Sequence, residues 1–85
     1  MPRYYFDIHK NEQVVPDLDG VEMPDLAAAV DEAHFAAREM IAEAIKADRP
    51  SVLRYAFEIA DGDGSTLYRV KFIECINRGF SKLQP

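Results

Sequence analysis

The sequence predicts an α+β fold of the order ββαββ: an antiparallel four-stranded sheet made from two hairpins, with one long helix packed across one face. Three stretches carry this reading. Arg3 to His9 alternates, with Tyr4, Phe6 and Ile8 on one side and Tyr5, Asp7 and His9 on the other, the period of a half-buried strand. Pro24 to Asp48 is rich in alanine and has helical period. Leu53, Tyr55, Phe57 and Ile59 alternate with smaller or charged residues, and after Asp61, Gly62, Asp63 and Gly64 the pattern resumes at Thr66, Tyr68, Val70 and Phe72.

Taken in order, a turn at Lys10 and Asn11 sends the first strand back through Gln13 to Pro16 and pairs Phe6 with Val15. Pro16 lacks an N–H and keeps the second strand short or at an edge. Asp17 to Met23 reads as turn, with Asp19 and Gly20 as the reversal. Pro24 suits a first helical turn, and Glu22, Asp25, Asp31 and Glu32 lie near the positive end of the helix dipole. At about 100° per residue, Leu26, Val30, Ala33, Ala37, Met40, Ile41 and Ala44 share a stripe opposite Glu32, Glu39, Glu43 and Lys46. Phe35 projects into the polar side. Pro50 ends the helix. In the second hairpin a turn at Gly62 and Asp63 pairs Ile59 with Thr66, Phe57 with Tyr68, Tyr55 with Val70 and Leu53 with Phe72. Ile76, Phe80 and Leu83 have the spacing of a short terminal helix, which Gly79 weakens. A helix from 24 to 48 is about 36 Å long and a six-residue strand about 20 Å. Its C-terminal half, around Met40, Ile41 and Ile45, is therefore expected to be surface that needs the tail or a second chain.

Eighty-five residues make one domain, residues 1–85, with a thin core and little room for a deep active site. Apolar residues make up 48% of the chain, which excludes disorder. Cys75 is the sole cysteine, so an intramolecular disulfide and a multi-cysteine zinc site are excluded. No apolar run of about 18 residues is present, nor the zones of a signal peptide, and a cytoplasmic protein is expected. The formal charge of −5 argues against nucleic acid as the main partner. That charge is uneven: residues 7 to 48 hold eleven acids and three bases, residues 49 to 85 four acids and six bases.

The candidate chemistries are thin. A calcium loop starting at Asp61 needs Gly at Thr66 and Glu at Phe72, and one starting at Asp17 meets Val21 at a ligand position. His9 and His34 have no partners at metal-ligand spacing, so no metal or other cofactor is expected. Cys75 has no activating base nearby in sequence and reads as a buried or boundary thiol. Met removal would expose the secondary amine of Pro2, the base of small tautomerases, but there the first strand runs directly into the helix, whereas here a hairpin intervenes. No catalytic residue is assigned, and enzyme chemistry ranks last.

A surface is the better candidate. The outer sheet face is expected to carry Arg3, Tyr5, Arg54, Arg69 and Lys71 with Leu67, a mixture that suits RNA or an acidic protein. The helix offers an acidic face containing Phe35. The expected interaction residues are Phe35, Glu39, Met40 and Ile45 on the helix and Tyr5, Arg54, Arg69 and Lys71 on the sheet, with a homo-oligomer, a dimer, formed by helix-to-sheet contact between copies.

At residues 1 to 8, at Asp19 to Leu26 and at Ala27 to Ala44, the chain resembles a family of short uncharacterised proteins of rhizobia and related alphaproteobacteria, a domain-of-unknown-function family of the DUF6894 type. That resemblance implies a ββαββ domain and no established catalytic residues. Pro16 to Gly20 followed by the helix also resembles HicB-type antitoxins. The chain departs from them in having Val21 to Met23 instead of a further clear strand, and in lacking a second, DNA-binding domain. The expected function is a non-catalytic interaction module that self-associates; the alternative is a HicB-like regulator that masks a small basic toxin or binds RNA.

Overall fold

In the computed structural model, residues 1–76 are described. Strand β1 (Arg3–Lys10) is central and long, β2 (Gln13–Val15) and β3 (Val21–Glu22) are short, helix α1 spans Leu26–Lys46, and β4 (Ala56–Ala60) and β5 (Thr66–Lys71) close the sheet. The order is β2-β1-β4-β5, with β3 also on β1. All pairs are antiparallel.

One edge of β1 meets β4 from Tyr5 to His9. The other edge is shared: β2 takes Ile8 to Lys10 and β3 takes Arg3 and Tyr4. Between them Phe6 would be left with a bare N–H, a cost the fold avoids. The Asp17 carboxylate fills the gap, accepting from the backbone N–H of Phe6 at 3.1 Å and from those of Asp19 and Gly20 at 3.2 and 3.1 Å. Its own N–H donates to the Asp7 carboxylate at 2.8 Å. Burial pushes the Asp17 carboxyl up, but the N–H donors of Phe6, Gly20 and Asp19 outweigh it and hold the group below its ordinary value.

Two registers and one turn differ from expectation. The first hairpin turns at Asn11 and Glu12, pairing Ile8, not Phe6, with Val15, because Asn11 takes the left-handed conformation at φ 55°, which Asn tolerates. Val21 and Glu22 form a strand where a turn is expected. In the second hairpin Phe57 faces Val70 and Ile59 faces Tyr68, with an irregularity between Ile59 and Ala60. There the connection is longer than two residues: Asp61 accepts from Asp63 and Ser65 N–H at 2.9 and 3.0 Å, and Gly64 supplies the positive φ of 85°.

Helix α1 starts later than Pro24. Asp25 is its N-cap, with Oδ1 accepting from Ala28 N–H at 2.9 Å. It ends in a Schellman pattern: Arg49 N–H reaches the Ala44 carbonyl at 2.8 Å and Asp48 N–H the Ile45 carbonyl at 3.2 Å, with Asp48 at φ 57° in the place usually held by Gly. The alternation at Leu53 and Tyr55 is not a strand start. Pro50–Arg54 forms a 3₁₀ turn whose Val52 and Leu53 pack against the core. Thus Ile41 is buried rather than left as surface. Residues 72–76 are helical, earlier than the tail helix expected from Ile76, Phe80 and Leu83; Phe80 and Leu83 lie outside the described residues.

The core is one layer between sheet and helix. Phe57, Ile59, Val70, Phe72 and Tyr4 meet Ala29, Ala33, Ala37 and Ile41. Phe57 links Phe6 and Phe72 by ring contacts at 6.3 and 5.2 Å.

Gly20→Ala should cost about 2–3 kcal/mol. The residue has φ 70° and a Cβ would stand 2.9 Å from both Arg3 Cγ and Tyr5 Cε2; urea unfolding measures the loss. Asp17→Ala should cost about 2 kcal/mol by unpairing the Phe6 N–H. Because the folded carboxyl titrates below its unfolded value, its contribution is complete above the ordinary carboxylate range and is lost as pH falls through the folded value. Asp17→Asn should flatten that part of the acid limb in urea midpoints measured against pH.

Candidate interaction surface

The outer face of the sheet carries Tyr5, Asp7 and His9 on β1, Ala56, Glu58 and Ala60 on β4, and Arg69 and Lys71 on β5, placed by the alternation and by the registers Asp7–Glu58–Arg69 and His9–Ala56–Lys71. Glu58 sits at the centre. Its Oε1 lies 3.0 Å from His9 Nε2, and its Oε2 binds Arg69 Nη1. Arg69 is thus neutralised within the face. Arg54 is not on it, because it ends the 3₁₀ turn instead of occupying a strand. Arg3 is drawn to one end, where its guanidinium donates to the Asp19 carbonyl at 2.9 Å and pairs with Glu22. Tyr5 lines a shallow depression of about 270 Å³ with Asp7, Asp17 and Asp61, surroundings that are acidic rather than basic. The expected basic face is therefore broken up, and the electrostatic case for RNA weakens with it.

On α1 the expected residues are closer together. Phe35 is 52% exposed and Ile45 72%, while Glu39 is exposed and Met40 half-buried. Phe35, Arg38, Ala42 and Ile45 are separated by three, four and three residues, so they follow one stripe along the outward side. Beside that stripe, the C-terminal half of α1 and the 3₁₀ turn enclose an open groove of about 450 Å³ that includes Glu39, Met40 and Glu43.

One contact escaped the sequence reading. His34 Nδ1 lies 3.1 Å from Cys75 Sγ, a buried pair 41 residues apart. The thiol also approaches the Lys71 carbonyl at 3.5 Å. The missed signal was positional: His34 flanks the apolar stripe and Cys75 precedes Ile76 in the terminal apolar pattern. Cys75 has no exposed surface. Among the described residues, no group of three or more His, Cys, Asp or Glu side chains is arranged to hold a metal ion, and no helix is long and apolar enough to cross a membrane. Pro2 is exposed, with its carbonyl accepting from Met23 N–H at 3.0 Å.

These features define a small two-layer α+β domain with an open sheet and one long, partly uncovered helix. The family model described as "Domain of unknown function (DUF6894)" matches residues 3–73, and the chain belongs to that family. No curated protein and no solved structure matches it.

The burial of Cys75 sets its reactivity. The native protein should react with a bulky aromatic disulfide reagent far more slowly than the urea-unfolded chain, with a rate that tracks the opening equilibrium. Rapid stoichiometric labelling under native conditions would contradict the packing around His34.

Proposed function

We propose that this domain is a non-catalytic interaction module that self-associates as a dimer through the outward face of α1. The observation that carries the reading is the exposure of Phe35 and Ile45 on one stripe of a helix whose opposite stripe is closed by the sheet. Spacings of three and four residues suit an antiparallel helix pair about a two-fold axis. Phe35 then meets Ile45 of the second copy, and Arg38 meets Ala42. Glu32 faces Lys46 across the axis, a favourable pair formed twice, while Glu39 faces its own counterpart. Covering the exposed parts of each Phe35 and Ile45 contributes about 1–2 kcal/mol per side chain, against the cost of association. One helix face buries about 1,000 Å² in total, the low end for a specific interface, so the dimer is weak and reversible.

A second reading, a regulator that masks a small basic protein, is favoured by one observation: Val21 and Glu22 form a strand, so three strands precede the helix, which brings this part of the chain nearer the HicB-type pattern. A stoichiometric complex with a small basic chain encoded alongside, dissolved by salt, would support it.

Sedimentation equilibrium tests the dimer. The parent should show reversible, concentration-dependent mass, and Phe35→Asp should associate more weakly with unchanged circular dichroism. A parent that stays monomeric at every concentration, or a Phe35→Asp variant that associates as tightly as the parent, overturns the reading.

A further inference from the structure

The groove beside the proposed contact has a chemistry of its own. Its floor is apolar, formed by Met40, Ala44, Ala47 and Val52, and its rim carries Glu39 and Glu43, one helical turn apart. Arg49 is the one cation among the described lining residues. Lys46 approaches Glu43 at 3.8 Å, but both side chains are about three-quarters exposed, and such a pair yields readily to a better partner. An occupant matching this site needs an apolar anchor between two cations.

The chain contains such a segment. Residues 77–85 include Arg78, Phe80 and Lys82 at alternate positions and carry no acid. An extended peptide of this pattern presents an apolar side chain between two cations on one side, complementary to the apolar floor and acidic rim of the groove. We infer that the groove docks residues 77–85 of a second copy. This rests on the self-association reading but not on the Phe35 stripe. The described chain leaves the core at Ile76, directly after Cys75 on the His34 flank of α1. Glu43 is nine residues from His34, about two and a half turns, and so lies on the opposite side of the helix. The described residues therefore end on the flank of α1 opposite the groove, whereas a second copy brings the same sequence to it from outside.

Fluorescence anisotropy with a labelled peptide of residues 77–85, added to the full chain, tests the inference. Saturable binding that weakens with salt is expected, with a loss of about tenfold in Glu43→Lys. A peptide with both cations replaced by glutamate should not bind the parent but should bind a Glu39→Lys/Glu43→Lys chain. Phe35→Asp should bind the peptide as the parent does, which separates failure of the groove from failure of the helix-pair dimer. Absence of saturable binding, or binding indifferent to Glu43→Lys, overturns the proposal. So does peptide binding confined to a full chain carrying Arg78→Glu and Lys82→Glu, because the chain's own segment would then be filling the groove.

Discussion

The close approach of α1 to the sheet governs the rest of the architecture. Ala29, Ala33 and Ala37 are fully buried along the helix, and Ala44 nearly so; each lets the helix backbone settle onto the sheet where a larger side chain would hold it away. The volume of the core is then supplied from the other layer, by Phe57, Ile59, Val70 and Phe72. With bulk mainly on the sheet and the turn that follows it, and small residues on α1, the two layers interdigitate. That economy leaves one side of α1 and one side of the sheet facing outward.

Length mismatch decides what the outward side of α1 exposes. A helix of 21 residues extends about 31 Å, further than the five residues of β4 beneath it. The overhang is met by the 3₁₀ turn, which follows the Schellman end and brings Val52 and Leu53 to the core. It covers Ile41 but not Ile45, four residues on. Coverage is therefore closest below the helix and slight along its Phe35 stripe, and Glu39 of the groove lies between the two.

Much of this was legible in the sequence because binary pattern reports which side of an element is buried. The alternation in β1, the alanine stripe and the exposure of Phe35 all follow from period alone. Register was not legible. Away from the irregularity at Ala60, both hairpins are displaced by two residues from the expected pairing, a shift that keeps Phe57, Ile59, Tyr68 and Val70 on the inward side and so leaves no trace in the hydrophobic pattern. What set it was turn chemistry: Asn11 rather than Lys10 at the positive φ, and Gly64 rather than Gly62. Leu53 and Tyr55 mimicked a strand for a related reason, since two apolar residues spaced by two fit a 3₁₀ turn entering a strand equally well. The His34–Cys75 contact was invisible because only the tertiary fold joins residues so far apart.

The same physics ranks the two outward faces. On the sheet, Glu58 is flanked by His9 and Arg69, so its charge is met within the face, and a partner there would have to displace pairs already made. On α1, Phe35 and Ile45 are apolar and hydrated, and covering them releases water at no such cost. Symmetry points the same way. A helix laid on a neighbour's sheet is a heterologous contact that leaves a free helix at one end and a free sheet at the other, so copies would add without limit. A helix laid antiparallel on its own copy consumes both stripes and closes. For a chain whose net charge of −5 already opposes association, a contact that closes at two copies and lets Lys46 answer Glu32 limits the accumulated repulsion. The helix-to-helix arrangement is therefore favoured over the helix-to-sheet one expected from the charge pattern alone.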